Sequence, residues 1–439
     1  MRLKKWVKVS LLLIGSVLVL FLVLNTFLKN TKKENKEEPK EETKIDYEKI
    51  VNYKLKDKNI SKEFISWVGE NYEGSLKKLS DSLYEKEYNE SVWHEVTGYS
   101  YLVLNDLYNK KYDSMDNVKI IESSGVSTLS FIGDVSLADN WAIMPEYDAR
   151  GKKVLGILSQ EVVDTMNNST LMVANSEFTV STRGQAMAGK QYTFRANPAR
   201  LSVYGEMGMD LVTLANNHVY DFGRDAFLDM LDAFDNIKMP RIGAGRNAAE
   251  ARKPYYFIIG GYKFAFVNAT RAEKYILTPE ATDTNPGVFR CYDPTNMQNL
   301  ISEVRKESDY VIAIIHFGKE GYHELEDEQV RSAKLYVDAG ADAVIGHHAH
   351  ALQGIEFYKD KPIVYNLGDF IFNALREETA MFQIKLEEDG TMNYYILPAL
   401  QNNCYTDFLK GQDKQNLINK ILSWSINVNI DSEGKITKK

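Results

Sequence analysis

The chain has 439 residues, 44% hydrophobic and 26% charged, which fits a globular protein with one large core or two modest ones. That make-up excludes a wholly disordered chain and a small disulfide-stapled scaffold. A net charge of -8 argues against a nucleic-acid partner, because reading phosphates calls for a clustered excess of Lys and Arg.

Residues 1–28 open with Arg2, Lys4, Lys5 and Lys8, followed by an uncharged stretch from Val9 to Leu28. As a helix that stretch rises about 30 Å, the hydrocarbon thickness of a bilayer. It is longer than the apolar region of a cleaved signal peptide and ends without an Ala-x-Ala-like site, so a retained signal anchor is predicted. The positive-inside rule then gives a single-pass protein of the cell membrane, in contact with lipid through this helix, with its soluble domain on the extracytoplasmic side. Residues 29–44 mix Lys and Glu and read as a solvated tether. In residues 45–120 the apolar positions recur at helical spacing, as in Phe64, Trp67 and Val68, then Leu76, Leu79 and Leu83. A small helical accessory region follows from that pattern, with Trp67, Trp93 and Tyr101 packing its helices together.

From residue 121 to 404 short β-rich apolar runs alternate with helical patterns, the texture of an α/β domain. Six runs end in polar residues of one kind. Leu129–Gly133 leads to Asp134, Leu171–Ala174 to Glu177, Leu211–Ala215 to Asn217 and His218, and Val311–Ile315 to His316. Ala343–Gly346 leads to His347, His348 and His350, and Ile363–Tyr365 to Asn366 and Asp369. In open α/β sheets the carboxyl ends of strands form the ligand crevice, so these groups are expected to converge. Gly208 and Gly340, each two residues before an Asp-led run, fit helix C-caps. Residues 405–439 carry an amphipathic segment around Leu417, Ile418, Ile421 and Leu422, expected to pack as one helix on the domain.

Five of the seven histidines fall at those strand ends. His348-x-His350 presents two imidazoles on one side of an extended segment, and with Asp134, Glu177 and Asn217 the mixed N/O donors suit Mn, Fe or Zn. Whether His347 or the pair His348 and His350 faces the metal stays open. Arg183, Lys190 and Arg195 follow Glu177 and are candidates for holding an anionic substrate, unless they are solvated surface charges beside a buried edge strand containing Tyr192 and Phe194. Glu320 is a further candidate, whereas Glu324, Glu326 and Asp327 read as the start of a helix. Gly243–Asn247 lacks the spacing of a phosphate loop and reads as a connection, with Arg246 near the cleft. Cys291 and Cys404 lie far apart in sequence, which leaves their pairing open.

Phe131-Ile132-Gly133-Asp134, Asn175-Ser176-Glu177, Ala215-Asn216-Asn217-His218, Lys190 to Pro198, His316-Phe317-Gly318-Lys319-Glu320 and Gly340 to Gly354 together resemble the motifs of the bacterial CapA family of capsule and poly-γ-glutamate biosynthesis, related to metallophosphoesterases. The resemblance implies an α/β fold: a two-sheet α/β/β/α sandwich of metallo-dependent phosphatase type. It implies one or two divalent ions held by Asp134, Glu177, Asn217, His316, His348 and His350, with Asn217 and His218 in catalysis. Asp134 is followed by Val135-Ser136 where a two-metal phosphoesterase has Asp-x-His, and Asp369 stands where the family has Asn. The function implied is a metal-dependent hydrolase of phosphoesters or amides in capsule or poly-γ-glutamate production or export, working on the anionic polymer beside a membrane synthase. The alternative is a non-catalytic tethered factor that binds the polymer.

Overall fold

The computed structural model describes residues 45–439 apart from 124, 274–276 and 374–375. The anchor and tether of residues 1–44 lie outside the described residues. Among the described residues no helix is long and apolar enough to cross a membrane.

Residues 45–60 belong to a separate compact unit and form the helix Tyr47–Leu55, capped by the Asp46 carboxylate on the Lys49 N–H. The second unit starts at Ser61, whose hydroxyl caps the helix Lys62–Asn71. Helices Ser75–Glu85, Ser91–Thr97 and Tyr101–Tyr108 follow. Their aromatics face one another: Phe64 lies 5.4 Å from Trp93 and 5.7 Å from Tyr101, and Trp67 5.6 Å from Tyr108. Ring-on-ring packing of this kind is the packing role expected of them.

Two large sheets dominate the rest, beside two small two-stranded ones among the described residues. A seven-stranded sheet runs in the order Val118–Ile121, Tyr255–Ile259, Tyr262–Thr270, Tyr310–Phe317, Ala343–His348, Lys361–Val364, Ile355–Tyr358. A ten-stranded sheet has the Asp134 strand, Ser127–Val135, at its centre, parallel to Leu171–Ser176 and antiparallel to Arg376–Leu386. Side-chain alternation explains the layering. Phe264 and Phe266, with Ile312 and Ile314, point into a core shared with Leu129, Phe131, Leu171 and Val173 of the other sheet. Ala265, Val267, Val311 and Ala313 point the other way, against helices Thr295–Arg305 and Asp327–Asp338. Ile132, Met172 and Val212 meet a third core with helices Gln160–Asn167 and Gly223–Asn236. The order is therefore helix, sheet, sheet, helix. Both faces of each central strand are buried, which is why the strands read as continuous apolar runs.

Gly208 (φ 63°) and Gly340 (φ 118°) end their helices in the left-handed region. Each end has the double bond pattern of a Schellman cap, with Ala341 N–H on Tyr336 O and Gly340 N–H on Val337 O, and Met209 N–H on Tyr204 O and Gly208 N–H on Gly205 O. The Asp that follows pins the next strand to its neighbour: Asp342 donates its N–H to Val311 O and accepts the Val311 N–H, and Asp210 does the same with Met172.

The tail corrects the sequence expectation. Besides the helix Gly411–Trp424 it supplies the strands Thr406–Phe408, Val428–Ile430 and Lys435–Lys438, and the first and last of these pair with Met392–Asn402. Cys291 and Cys404 are free thiols, buried in different core clusters.

Candidate metal centre

Register brings the strand ends together. Asp134 pairs with Asn175 on one side and Asp369 on the other, while in the second sheet His316 pairs with His347 and Phe317 with His348. The close approach of the Asp134 strand to the 367–369 turn depends on Gly133, since a Cβ there would lie 1.9 Å from Gly368 O. The Asp134 N–H donates to that same carbonyl at 2.8 Å. Where the carboxyl edges of the two sheets meet, Asp134, Glu177, Asn217, His218, His316, His347 and His348 are all buried.

Glu177 is the centre of the arrangement. Its Oε1 is buried without a hydrogen-bond partner, and around it lie the Nε2 atoms of His316 at 3.6 Å, His350 at 3.7 Å and His218 at 3.8 Å. Among the described residues, two groups have donor atoms within 4.8 Å of one another: Glu177, His316 and His348, and Asp134, His350 and Asp369. An orphaned carboxylate oxygen among imidazoles, with carboxylates beside them, fits a hard or borderline divalent ion. His347 takes a different part, its Nδ1 lying 3.2 Å from Asp134 Oδ1, while the His348 N–H donates to Asp134 Oδ2. Asn217 Oδ1 is held 2.7 Å from His316 Nε2.

Burial, reinforced by neighbouring imidazoles, pushes His316 well below its ordinary range and His348 down to about 3, so both are neutral and able to ligate. Burial also opposes charge on His350, but Asp369 and Glu177 outweigh it and raise His350 well above the usual value. Glu177 is raised by burial and by Asp134. Asp134 is itself opposed by burial but held low by His347, His350 and His316. Strain marks the same loop: His348 (φ 96°) and His350 (φ 52°) sit in the left-handed region, unusual for residues other than glycine and concentrated at functional sites.

Several contributors were not foreseen. Asn175 donates to Asp134 Oδ1 and Glu177 Oε2 and accepts from Asn216 and Thr213, tying three strand ends together. Asp221 holds His218 Nδ1 at 2.8 Å and leaves Nε2 facing the cluster. Asp369, one of the strand-end groups expected to converge, does lie at the site, 2.7 Å from His350 Nδ1. In sequence Asp221 looks like any turn residue, and only its position three after His218 hints at the pairing.

A cavity of about 370 Å³ opens on the cluster, lined by Asn217, His218 and His350 and by Lys190, Glu273 and Glu320. The expected substrate cations separate here. Lys190 does line the cavity, but its Nζ is paired with Asp221 at 2.8 Å and Glu273 at 3.2 Å and also bonds the Asn217 carbonyl. Arg183 is clamped by Asp229, and Arg195 donates to the carbonyls of Arg183 and Gly184; neither lines this cavity. Arg246 pairs with Asp232, Asp235 and Glu250, away from the cleft. Glu320 stands at the site with Oε1 3.8 Å from His348 Nε2. The two remaining histidines stack elsewhere, His94 on Tyr262 and His323 on Trp424.

Layering and cluster together define an α/β protein whose two sheets present a histidine and carboxylate centre suited to a divalent metal. The chain belongs to the bacterial capsule synthesis protein family PGA_cap, the CapA family, whose profile matches residues 128–374 and so includes every residue of the cluster. Similar proteins are the PGA biosynthesis protein CapA of Bacillus subtilis, 28% identical over 281 residues, covering 63% of this chain and 72% of that one. The capsule biosynthesis protein CapA of Bacillus anthracis is 29% identical over 243 residues, covering 53% of this chain and 58% of the relative. A probable polyglutamine synthesis accessory protein of Mycobacterium tuberculosis is 28% identical over 243 residues, 52% of this chain and 64% of its own. Among solved structures, the NAD nucleotidase of Haemophilus influenzae superposes over 70% of this chain and 65% of its own with a TM-score of 0.35 and 12% identity, too loosely to bear on function.

Proposed function

We propose that the protein is a membrane-anchored, extracytoplasmic accessory of capsule or poly-γ-glutamate production that uses this centre as a metal-dependent hydrolase. Family membership supports the biological setting, and the unpartnered Glu177 Oε1 among three imidazoles is the observation that carries the chemistry. Glu177, His316 and His348 would hold one ion and Asp134, His350 and Asp369 a second, of the Mn, Fe or Zn kind. Such an ion supplies Lewis-acid polarisation of a phosphoryl or acyl group and a nucleophile at neutral pH. Asp221 orients the His218 ring so that Nε2, facing the cavity, holds or moves the proton of the leaving group. Asn217, fixed by Lys190, Thr278 and His316, keeps the adjoining turn in place. The polymer and a membrane synthase are the partners proposed.

A second reading, a tethered factor that handles polymer without turnover, draws on Ser136. It occupies the position of the missing first-motif His, and its buried Oγ has no partner. The deciding experiment measures metal content and hydrolysis of bis(p-nitrophenyl) phosphate by the full chain in detergent, beside the double variant His348→Ala/His350→Ala. Bound transition metal and turnover, both lost in the variant, are expected. A folded chain with neither, even after reconstitution with Mn or Zn, overturns the hydrolase and leaves the second reading.

A further inference from the structure

The cavity beside the centre has a composition of its own. Trp141, Tyr192, Phe194 and Phe372 form one connected aromatic wall, with centroids 5.8 Å apart for Trp141 and Tyr192, 5.5 Å for Trp141 and Phe194, and 5.2 Å for Phe194 and Phe372. That wall reaches the reacting centre itself, since Phe194 lies 4.4 Å from the His218 ring and Phe372 5.1 Å from His350. Trp141 is fixed by its indole N–H on the Thr193 carbonyl, and Tyr192 remains 48% exposed at the mouth. Besides Asn217, His218 and His350 of the centre, the polar lining among the described residues is Glu273, Glu320, Gln191, Asn373 and Lys190, and the lysine is already paired with carboxylates.

From this juxtaposition we infer that the cleft beside the metal centre binds a neutral sugar unit of the substrate. The inference rests on the reading of the centre as hydrolytic. A polyanion would bring its carboxylates against Glu273 and Glu320, and the one lysine among the described lining residues is already held by carboxylates. A flat heterocyclic base wants parallel rings on its faces, but these ring pairs are tilted by 52°, 58° and 79°. An alkyl chain would leave the carboxylates and amides of the lining desolvated and unmatched. A pyranose satisfies both parts: its C–H face packs on the corrugated aromatic wall, and its hydroxyls donate to carboxylates and amide oxygens. The carboxylates of a γ-glutamyl polymer then stay outside the cleft, and the bond presented to the centre is one attached to sugar.

Isothermal calorimetry on the full chain in detergent tests this, using triacetylchitotriose as the neutral saccharide and tri-γ-glutamate as the anionic probe, each with metal-free and Mn-loaded protein. The saccharide is expected to bind, to weaken about tenfold in Tyr192→Ala and in Trp141→Ala, and to be retained in Tyr192→Phe, as loss of one stacked ring implies. No saccharide binding, binding indifferent to both alanine variants, or tri-γ-glutamate binding that Tyr192→Ala removes would each overturn the inference. Calorimetry needs no turnover, so saccharide binding by a chain without hydrolysis supports the subsite while counting against the hydrolase alone.

Discussion

Glu177 Oε1 has no proton donor, and burial together with Asp134 raises its carboxyl well above the ordinary range. Ionising it without a cation therefore costs stability, and a divalent ion offsets that cost. Adding Mn is expected to raise the Tm of the full chain by the equivalent of about 2.7 kcal/mol at a hundredfold excess over Kd, reversibly with a chelator. Glu177→Gln, which keeps the shape and removes the charge, should start at an equal or higher Tm and gain little from Mn. Equal gains in both proteins would remove Glu177 from the centre. Asp221 acts one step further out, through the His218 ring. Asp221→Asn should lower turnover about 10–100-fold while leaving bound metal per chain unchanged, measured by mass spectrometry of the metal beside steady-state rates. Loss of the metal together with the rate would mean that Asp221 supports the whole cluster rather than His218.

At the scale of strands and helices, the centre was legible because both faces of the central strands are buried, so the polar residues that follow each apolar run mark a carboxyl end. Asp134, Glu177, Asn217, His316 and His348 were found that way. Which sheet each strand joins was not legible, since Leu129–Gly133 and Val311–Ile315 have the same texture yet lie in different sheets. The partner of Arg183 was hidden for a related reason: Asp229 lies 46 residues away, and nothing local signals the pair. The helix caps were legible, and they yield a clean test. Gly340 has φ 118°, and a Cβ there would meet Arg305 Cγ at 3.0 Å. Gly340→Ala should cost about 1–3 kcal/mol in urea unfolding, with metal content per folded chain unchanged. A neutral substitution would mean that the Schellman end contributes nothing to holding Asp342 and its strand.

At the scale of the whole molecule, the tail and the helical region are each tied to the sheets by contacts without a local sequence signal. In the tail, a strand as polar as Lys435–Lys438 pairs with Met392–Asn402, and the Trp424 carbonyl packs where a Cβ on Gly354 would lie, 2.0 Å away. His323, on the loop after Glu320, stacks on the Trp424 ring 4.2 Å away, so the tail helix braces a loop of the cleft. In the helical region, Lys263 is fully buried with Nζ 2.7 Å from Asp106 Oδ2 and 4.7 Å from the centre of the Tyr256 ring. This ion pair joins the helix Tyr101–Tyr108 to the seven-stranded sheet. A buried pair adds little net stability, but breaking it strands a charge. Asp106→Ala should therefore destabilise the chain by about 3–5 kcal/mol, whereas the double variant Asp106→Leu/Lys263→Met should recover most of that loss. If the double variant is as unstable as the single, the pair is needed for its hydrogen bond, and the helical region is held to the sheet by polar specificity rather than by apolar packing.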